Sequence, residues 1–169
     1  MNLSSNEFGP SLALLPELLD LSRLISLDLS SNRLQRLTPP RPRTPLASSN
    51  GALPALEELC VSYNRIASLE GIDELAPSLV KLDVRDNRLP PRAAADGSTT
   101  LSRPLRGLRF LSDLSLQNPN ARPSAVGAAG TGSNPVCASR VYRAVVLRAA
   151  LVLTRLDGEP VTSLARDAA

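Results

Sequence analysis

"LEELCVSYNRI", residues 56–66, carries the decisive spacing: apolar side chains at its first, fourth, sixth and eleventh positions and an Asn at its ninth. The same frame governs "LISLDLSSNRL" at 24–34 and "LVKLDVRDNRL" at 79–89. Leu24, Leu27, Leu29, Asn32 and Leu34 are thus matched by Leu56, Leu59, Val61, Asn64 and Ile66, and again by Leu79, Leu82, Val84, Asn87 and Leu89. The fourth and sixth positions alternate with polar neighbours, as the buried side of a short strand does. The Asn falls where the strand must end, and a carboxamide offers donors and an acceptor together to the backbone groups of a turn. Stacked copies would build a ladder of such amides, and losing one rung is expected to cost roughly 1–3 kcal/mol.

Three copies in one register resemble the leucine-rich repeat. The fold this implies is α/β: a right-handed β–α superhelix with a parallel concave sheet, in which stacking buries the apolar side that no repeat can bury alone. Strands are expected near 26–30, 58–62, 81–85 and 113–117. A fourth copy, Leu111, Leu114 and Leu116, has no Asn in register. Of the two candidates, Asn118 and Asn134, the second is preferred because Pro135 follows it directly. At the start, "NLSSNEF" (2–8) echoes "DLSSNRL" (28–34). With Leu3 and Phe8 as core positions, residues 2–6 are expected as an edge strand beside 26–30, and the ladder runs Asn6, Asn32, Asn64, Asn87, Asn134. The chain would then begin inside a repeat, and an upstream extension or an end-to-end contact is expected at that edge.

Between repeats the composition changes. Residues 38–51, 90–104 and 118–133 are rich in Pro, Gly, Ala, Ser or Arg and read as loop inserts. Arg36, Pro39 and Pro42 match a polyproline-ligand spacing, but in such a segment a plain solvated insert is the better reading. The whole chain of 169 residues is read as one domain: repeats over about 1–133, a cap over about 134–162 and a short tail at 163–169.

The return segment after Asn64 reads Ile66, Leu69, Glu70, Gly71, Ile72, Leu75, Leu79. It resembles the short repeat, of about 22 or 23 residues, of the SDS22-like leucine-rich repeat family, with Gly71 at a tight bend. The C-terminal region agrees: Asn134-Pro135, then Tyr142-Arg143 with Val146, then Leu153, Leu156, Asp157 and Gly158 resemble the cap of that family. A helix from about 139 to 151, with Tyr142, Val145, Val146 and Ala149 facing inward, would seal the last repeat. The family commonly has Leu-Pro ahead of the final motif. Ala150 and Leu151 stand there instead, so a longer helix is expected.

Composition limits the chemistry. There is no His, which removes the common general base and metal ligand together. The two cysteines, Cys60 and Cys137, make neither a disulfide framework nor a zinc site, and no cofactor or small-molecule substrate is expected. Cys60 reads as a small strand residue and not as a nucleophile. The apolar stretch 141–153 is short and interrupted by Arg143 and Arg148, so no membrane contact is expected. The +3 net charge comes from arginines concentrated partly in the inserts, and direct nucleic-acid binding is not expected.

No catalytic constellation is visible, so the expected function is non-catalytic binding of a protein partner, a helix or a globular domain, at the concave face. The candidate contact residues are Asp28, Glu58, Tyr63, Lys81, Asp83, Arg85, Asp86 and Asp113, with Tyr63 as the aromatic anchor. Arg33, Arg65 and Arg88 form a further column just past the ladder. The family resemblance implies a cytoplasmic scaffold or adaptor in a cytoskeletal, ciliary or flagellar, or phosphatase-type assembly. The alternative is a spliceosomal-type ribonucleoprotein subunit gripping an RNA-binding domain, with nuclear localisation.

Overall fold

The computed structural model describes residues 1–12, 21–38, 52–91, 101–118 and 133–167. Each repeat contributes one three-residue strand: β1 (Ser26–Asp28), β2 (Glu58–Cys60), β3 (Lys81–Asp83) and β4 (Asp113–Ser115). The central residues Leu27, Leu59, Leu82 and Leu114 are at most 2 % exposed, while both neighbours in each strand point to the other face. The four strands are parallel and in step, and β5 (Arg155–Leu156) and the antiparallel β6 (Glu159–Pro160) complete a six-stranded sheet in sequence order. A leucine row therefore runs through the core: Leu27, Leu59, Leu82, Leu114, Leu156.

The strands are shorter than the five-residue spans expected, and in the first three repeats the chain turns at a corner immediately before the Asn. Ser31, Tyr63 and Asp86 occupy that corner with φ of 51–55°. Hydrogen bonding between repeats nevertheless continues past the strand ends, with Ser31 N donating to Ser62 O and Tyr63 N to Arg85 O, both at 2.9 Å.

The return segments differ from repeat to repeat. After β2 the chain makes a single helical turn, α1 (Ile72–Leu75), entered through Gly71 at φ 83°. After β3 comes α2 (Ser102–Gly107). This corrects the reading of 90–104 as wholly insert. Leu101, Leu105 and Leu108 are at most 2 % exposed, and their i, i+4, i+7 spacing is that of a helix face packed on a core. Pro104 is tolerated in the first turn, where its missing N–H has no helical partner anyway. The other parts of the three inserts, and with them Pro39 and Pro42, lie almost entirely outside the described residues.

After β4 the chain re-enters through a 3-10 turn (Pro135–Ala138) and α3 (Tyr142–Ala149). This helix is shorter at both ends than the 139–151 expected. Its inward residues are Tyr142, Val146, Leu147 and Ala149, whereas Val145 is only half-buried. The longer helix does not form: Leu151 is already outside it and 76 % exposed. A last short helix, α4 (Ser163–Asp167), folds back onto α3, and Arg166 donates to the carbonyls of Leu147 and Leu153 near the C-terminal end of α3. No helix of the described residues is long and apolar enough to cross a membrane.

Candidate functional site

The amide ladder sets the frame on which the exposed side chains stand. Asn64 Nδ2 donates to Leu29 O, Val61 O and Ser62 O at 2.9–3.2 Å, and its Oδ1 accepts from Leu34 N at 2.9 Å. Asn32 and Asn87 repeat the pattern one repeat earlier and one later. Asn134, fully buried, makes the equivalent bonds to Val84 O, Leu116 O and Leu89 N, although a long segment separates it from Leu116. Asn6 differs. It bonds only to its own segment, at Leu3 O and Ser4 O, and is exposed. Nor do residues 2–6 form a strand: they reach the sheet through one bridge, Asn2 to Asp28, and through Leu3 N to Asp28 O and Ser5 N to Ser30 O.

Strand register then places the expected binding residues. One row across the sheet reads Ser26, Glu58, Lys81, Asp113, Arg155, so its charges alternate in sign over four strands. Among the described residues none of these four charges is in an ion pair. Arg155 was not among the residues singled out from sequence, yet its signal was there: Leu153 and Leu156 repeat the spacing of Leu111 and Leu114.

The next row reads Asp28, Cys60, Asp83, Ser115. Its charges are already engaged. Asp28 Oδ1 accepts from Ser30 N at 2.8 Å. Asp83 accepts from Arg85 N, Nε and Nη2, the last at 2.6 Å, because residues two apart on a strand share a face. Asp83 and Arg85 are therefore one paired unit and not two free contacts. Burial pushes the Cys60 thiol upward, with Asp83 and Asp28 adding to it against the hydrogen bonds from Ser62, so the sulfur stays a protonated thiol and a poor nucleophile.

Asp86 is a correction. It does not stand on the exposed face: it sits in the left-handed corner, is 9 % exposed and is engaged within the protein. Tyr63 occupies the same corner one repeat earlier and is 49 % exposed. A bulky aromatic at positive φ is a genuine outlier, costing on the order of 1–3 kcal/mol where Asn or Gly would sit with little strain. Tyr63→Asn is accordingly expected to raise stability by about 1 kcal/mol. A urea midpoint measures this, and a fall would mean that packing of the phenol outweighs the strain.

At the other end of the sheet the cap residues form one network. Tyr142 Oη donates to Asp157 Oδ2 at 3.0 Å and accepts from Gln117 Nε2, while Arg143 pairs with Glu159 at 3.0 Å. Asp157 and Gly158, at φ 56° and 82°, make the two-residue turn that reverses β5 into β6. Asp157 Oδ1 accepts from Leu116 N at 2.7 Å and from Gln117 N at 3.0 Å. In the preceding repeats the amide equivalent to Leu116 N goes to a backbone carbonyl of the next repeat: Leu29 N to Cys60 O, Val61 N to Asp83 O, Val84 N to Ser115 O. The carboxylate thus replaces the carbonyl of a repeat that does not follow. Burial raises Asp157 above the usual carboxylate range against the pull of these hydrogen bonds. Burial, reinforced by Asp157, pushes the Cys137 thiol up to about 12.

Residues 23–44 match the family model described as Leucine Rich Repeat. A chain of the crystal structure of the Drosophila melanogaster SNF/U2A' complex superposes with a TM-score of 0.64 at 23 % sequence identity, covering 99 % of this chain and 76 % of that one. The fold is a leucine-rich repeat solenoid. Among curated proteins no match is found. Among the described residues, the charges of the row Glu58, Lys81, Asp113, Arg155 are outside ion pairs and Tyr63 is half-exposed, whereas the ladder and the cap network are engaged in the fold itself. Among the described residues no three His, Cys, Asp or Glu side chains converge as a metal site would need.

Proposed function

We propose that the chain is a non-catalytic interaction protein whose concave sheet face receives a protein partner. The observation that carries this is the row Glu58, Lys81, Asp113, Arg155: four side chains of alternating sign, fixed in register by the sheet and without ion-pair partners among the described residues. Alternating charge on a rigid base favours a partner of complementary pattern and penalises the wrong register. Leucine-rich repeat solenoids bind protein partners as a class, which supports the reading.

For the assembly, the motifs at Asn134-Pro135, Tyr142-Arg143 and Leu156-Asp157-Gly158 support an SDS22-like scaffold or adaptor in the cytoplasm, in a cytoskeletal, ciliary or flagellar, or phosphatase-type complex. The second reading is a ribonucleoprotein subunit gripping an RNA-binding domain in the nucleus, and the likeness in fold to a chain of the SNF/U2A' complex fits it as well as the first. Imaging of a tagged copy, together with affinity capture before and after ribonuclease treatment, separates the two. Reversing Lys81→Glu with Arg155→Glu is expected to weaken capture at least about tenfold, and because it sets carboxylates side by side across neighbouring strands, an unfolding curve read alongside separates loss of the face from loss of the fold. Unchanged capture by the double variant would move the binding site off this face.

A further inference from the structure

Past the Asn ladder each regular repeat carries one arginine, Arg33, Arg65 and Arg88, and all three are exposed. Neighbouring repeats are tied together at these residues: Arg33 N donates to Phe8 O at 2.9 Å, Arg65 N to Leu34 O and Arg88 N to Ile66 O at 2.8 Å. The arginines therefore recur along the rim at the interstrand step of about 4.8 Å. Arg33 already holds a carboxylate, Glu7 Oε1, at 2.7 Å. Among the described residues Arg65 and Arg88 are in no ion pair. Tyr63, half-exposed at its left-handed corner, stands beside Arg65 in a shallow groove whose wall continues through Ser31, Arg33 and Glu7.

We propose that this rim is a docking strip for an acidic helix of a protein partner, which sets carboxylates on Arg65 and Arg88 and an apolar side chain on Tyr63. The spacing selects a helix. Side chains three or four apart on a helix have Cβ atoms about 5–6 Å apart, close to the step of the arginine column. Same-face residues of an extended segment lie about 6.7 Å apart and fall out of step within two contacts. The chemistry selects a carboxylate, which a guanidinium takes in a planar, two-pronged geometry, and Glu7 shows the column accepting one. The strained aromatic supplies the anchor, since Tyr is enriched where binding energy concentrates. Single-stranded nucleic acid is also anionic, but its binding draws on successive stacking aromatics, and among the described residues this rim offers Tyr63 alone.

The inference rests on the protein-binding reading above but on different side chains, so the two fail separately. A displayed library of helical peptides, randomised along one face, is selected on the full chain, and the selected peptides are measured by anisotropy against two variants. The expected result is enrichment of two Asp or Glu residues three or four apart, with an apolar residue on the same face. Their affinity is expected to fall at least about tenfold in Arg65→Glu with Arg88→Glu and to weaken with salt, as exposed pairs do. The sheet-face variant, Lys81→Glu with Arg155→Glu, is expected to retain them. Because both rim arginines are exposed, the rim variant's melting curve is expected to overlay the wild type, and Arg65→Gln with Arg88→Gln gives the same readout without added charge. Enriched peptides without such an acidic pair overturn the proposal, as does equal binding by the rim variants. Loss in the sheet-face variant alone overturns it too, while leaving the protein-binding reading intact. Tighter binding of a U-rich 20-nucleotide RNA through the same arginines would place a nucleic acid on the rim and also overturn it.

Discussion

Asn64→Asp is expected to destabilise the solenoid by about 3–5 kcal/mol at neutral pH, the loss typical of an uncompensated buried charge. The change is nearly isosteric and keeps the Oδ1 that accepts Leu34 N. What it replaces is the donor amide, and in its place an oxygen meets the carbonyls of Leu29, Val61 and Ser62 at 2.9–3.2 Å. Three acceptors around an ionised acceptor in a site 8 % exposed leave the charge unmatched. The sign of the pH dependence follows. The new carboxyl has a folded pKa raised above its unfolded value, so its protonated form, which can donate to one carbonyl, is favoured in the fold. Its stability is fully present below the unfolded pKa and is lost as pH rises through the folded pKa. Thermal melts of variant and wild type at pH 5.0 and 7.5 should therefore differ less at the lower pH. An equal deficit at both values would mean that the loss comes from packing and not from charge.

That prediction concerns a residue the sequence places well, and the reason lies in periodicity. Leu27, Leu59, Leu82 and Leu114 are found in one buried row, and Asn32, Asn64 and Asn87 in one ladder, because each repeat solves the same local problem with the same residues. Asn134 was legible for a related reason: only a residue that restores the frame ahead of the cap can bond to Leu89 N and Leu116 O. Periodicity says less where the copies diverge. Leu101, Leu105 and Leu108 carry a helical spacing, but it was hidden at the edge of a Pro-rich segment that reads as loop.

The exposed face of the sheet was legible as a set of positions and not as a set of free charges. Register alone yields Glu58, Lys81 and Asp113 of the charged row. It does not reveal that Arg85 is committed to Asp83, or that Asp86 lies in a buried corner while Tyr63, at the equivalent position, is exposed. Those differences depend on backbone angles and on neighbours in the adjacent repeat, which a pattern of apolar residues does not encode. The N-terminal echo shows the same limit from the other side. Phe8 N does bond to Asn32 Oδ1, as the register requires, yet Asn6 itself stays exposed and bonded only locally.

Asp157→Ala is expected to cost on the order of 3 kcal/mol, because it strands several groups at one site. The amides of Leu116 and Gln117 lose their acceptor, and Tyr142 Oη loses the carboxylate to which it donates. The affected strand, β4, is the one that the cap must cover, so the deficit falls on the end of the sheet, where a solenoid is most easily opened. Asp157→Asn separates the causes. It retains Oδ1 for both amides but replaces Oδ2, which accepts from Tyr142 Oη, with a donor, so its cost is expected to be smaller than that of the Ala variant but not zero. The pH response adds a second readout. Burial raises the folded pKa of Asp157 above its unfolded value, so the extra stability of the protonated form is fully present below the unfolded pKa and is lost as pH rises through the folded one, while the hydrogen bonds accepted by the carboxyl oxygens remain. The Asn variant has no such group, and its stability should vary less across the acid range than that of the wild type. Urea titrations at several pH values between 3 and 7 measure both effects. If the Asn and Ala variants lose equally, the carboxylate oxygen is not what holds the edge of β4, and the covering helix α3 holds it by packing.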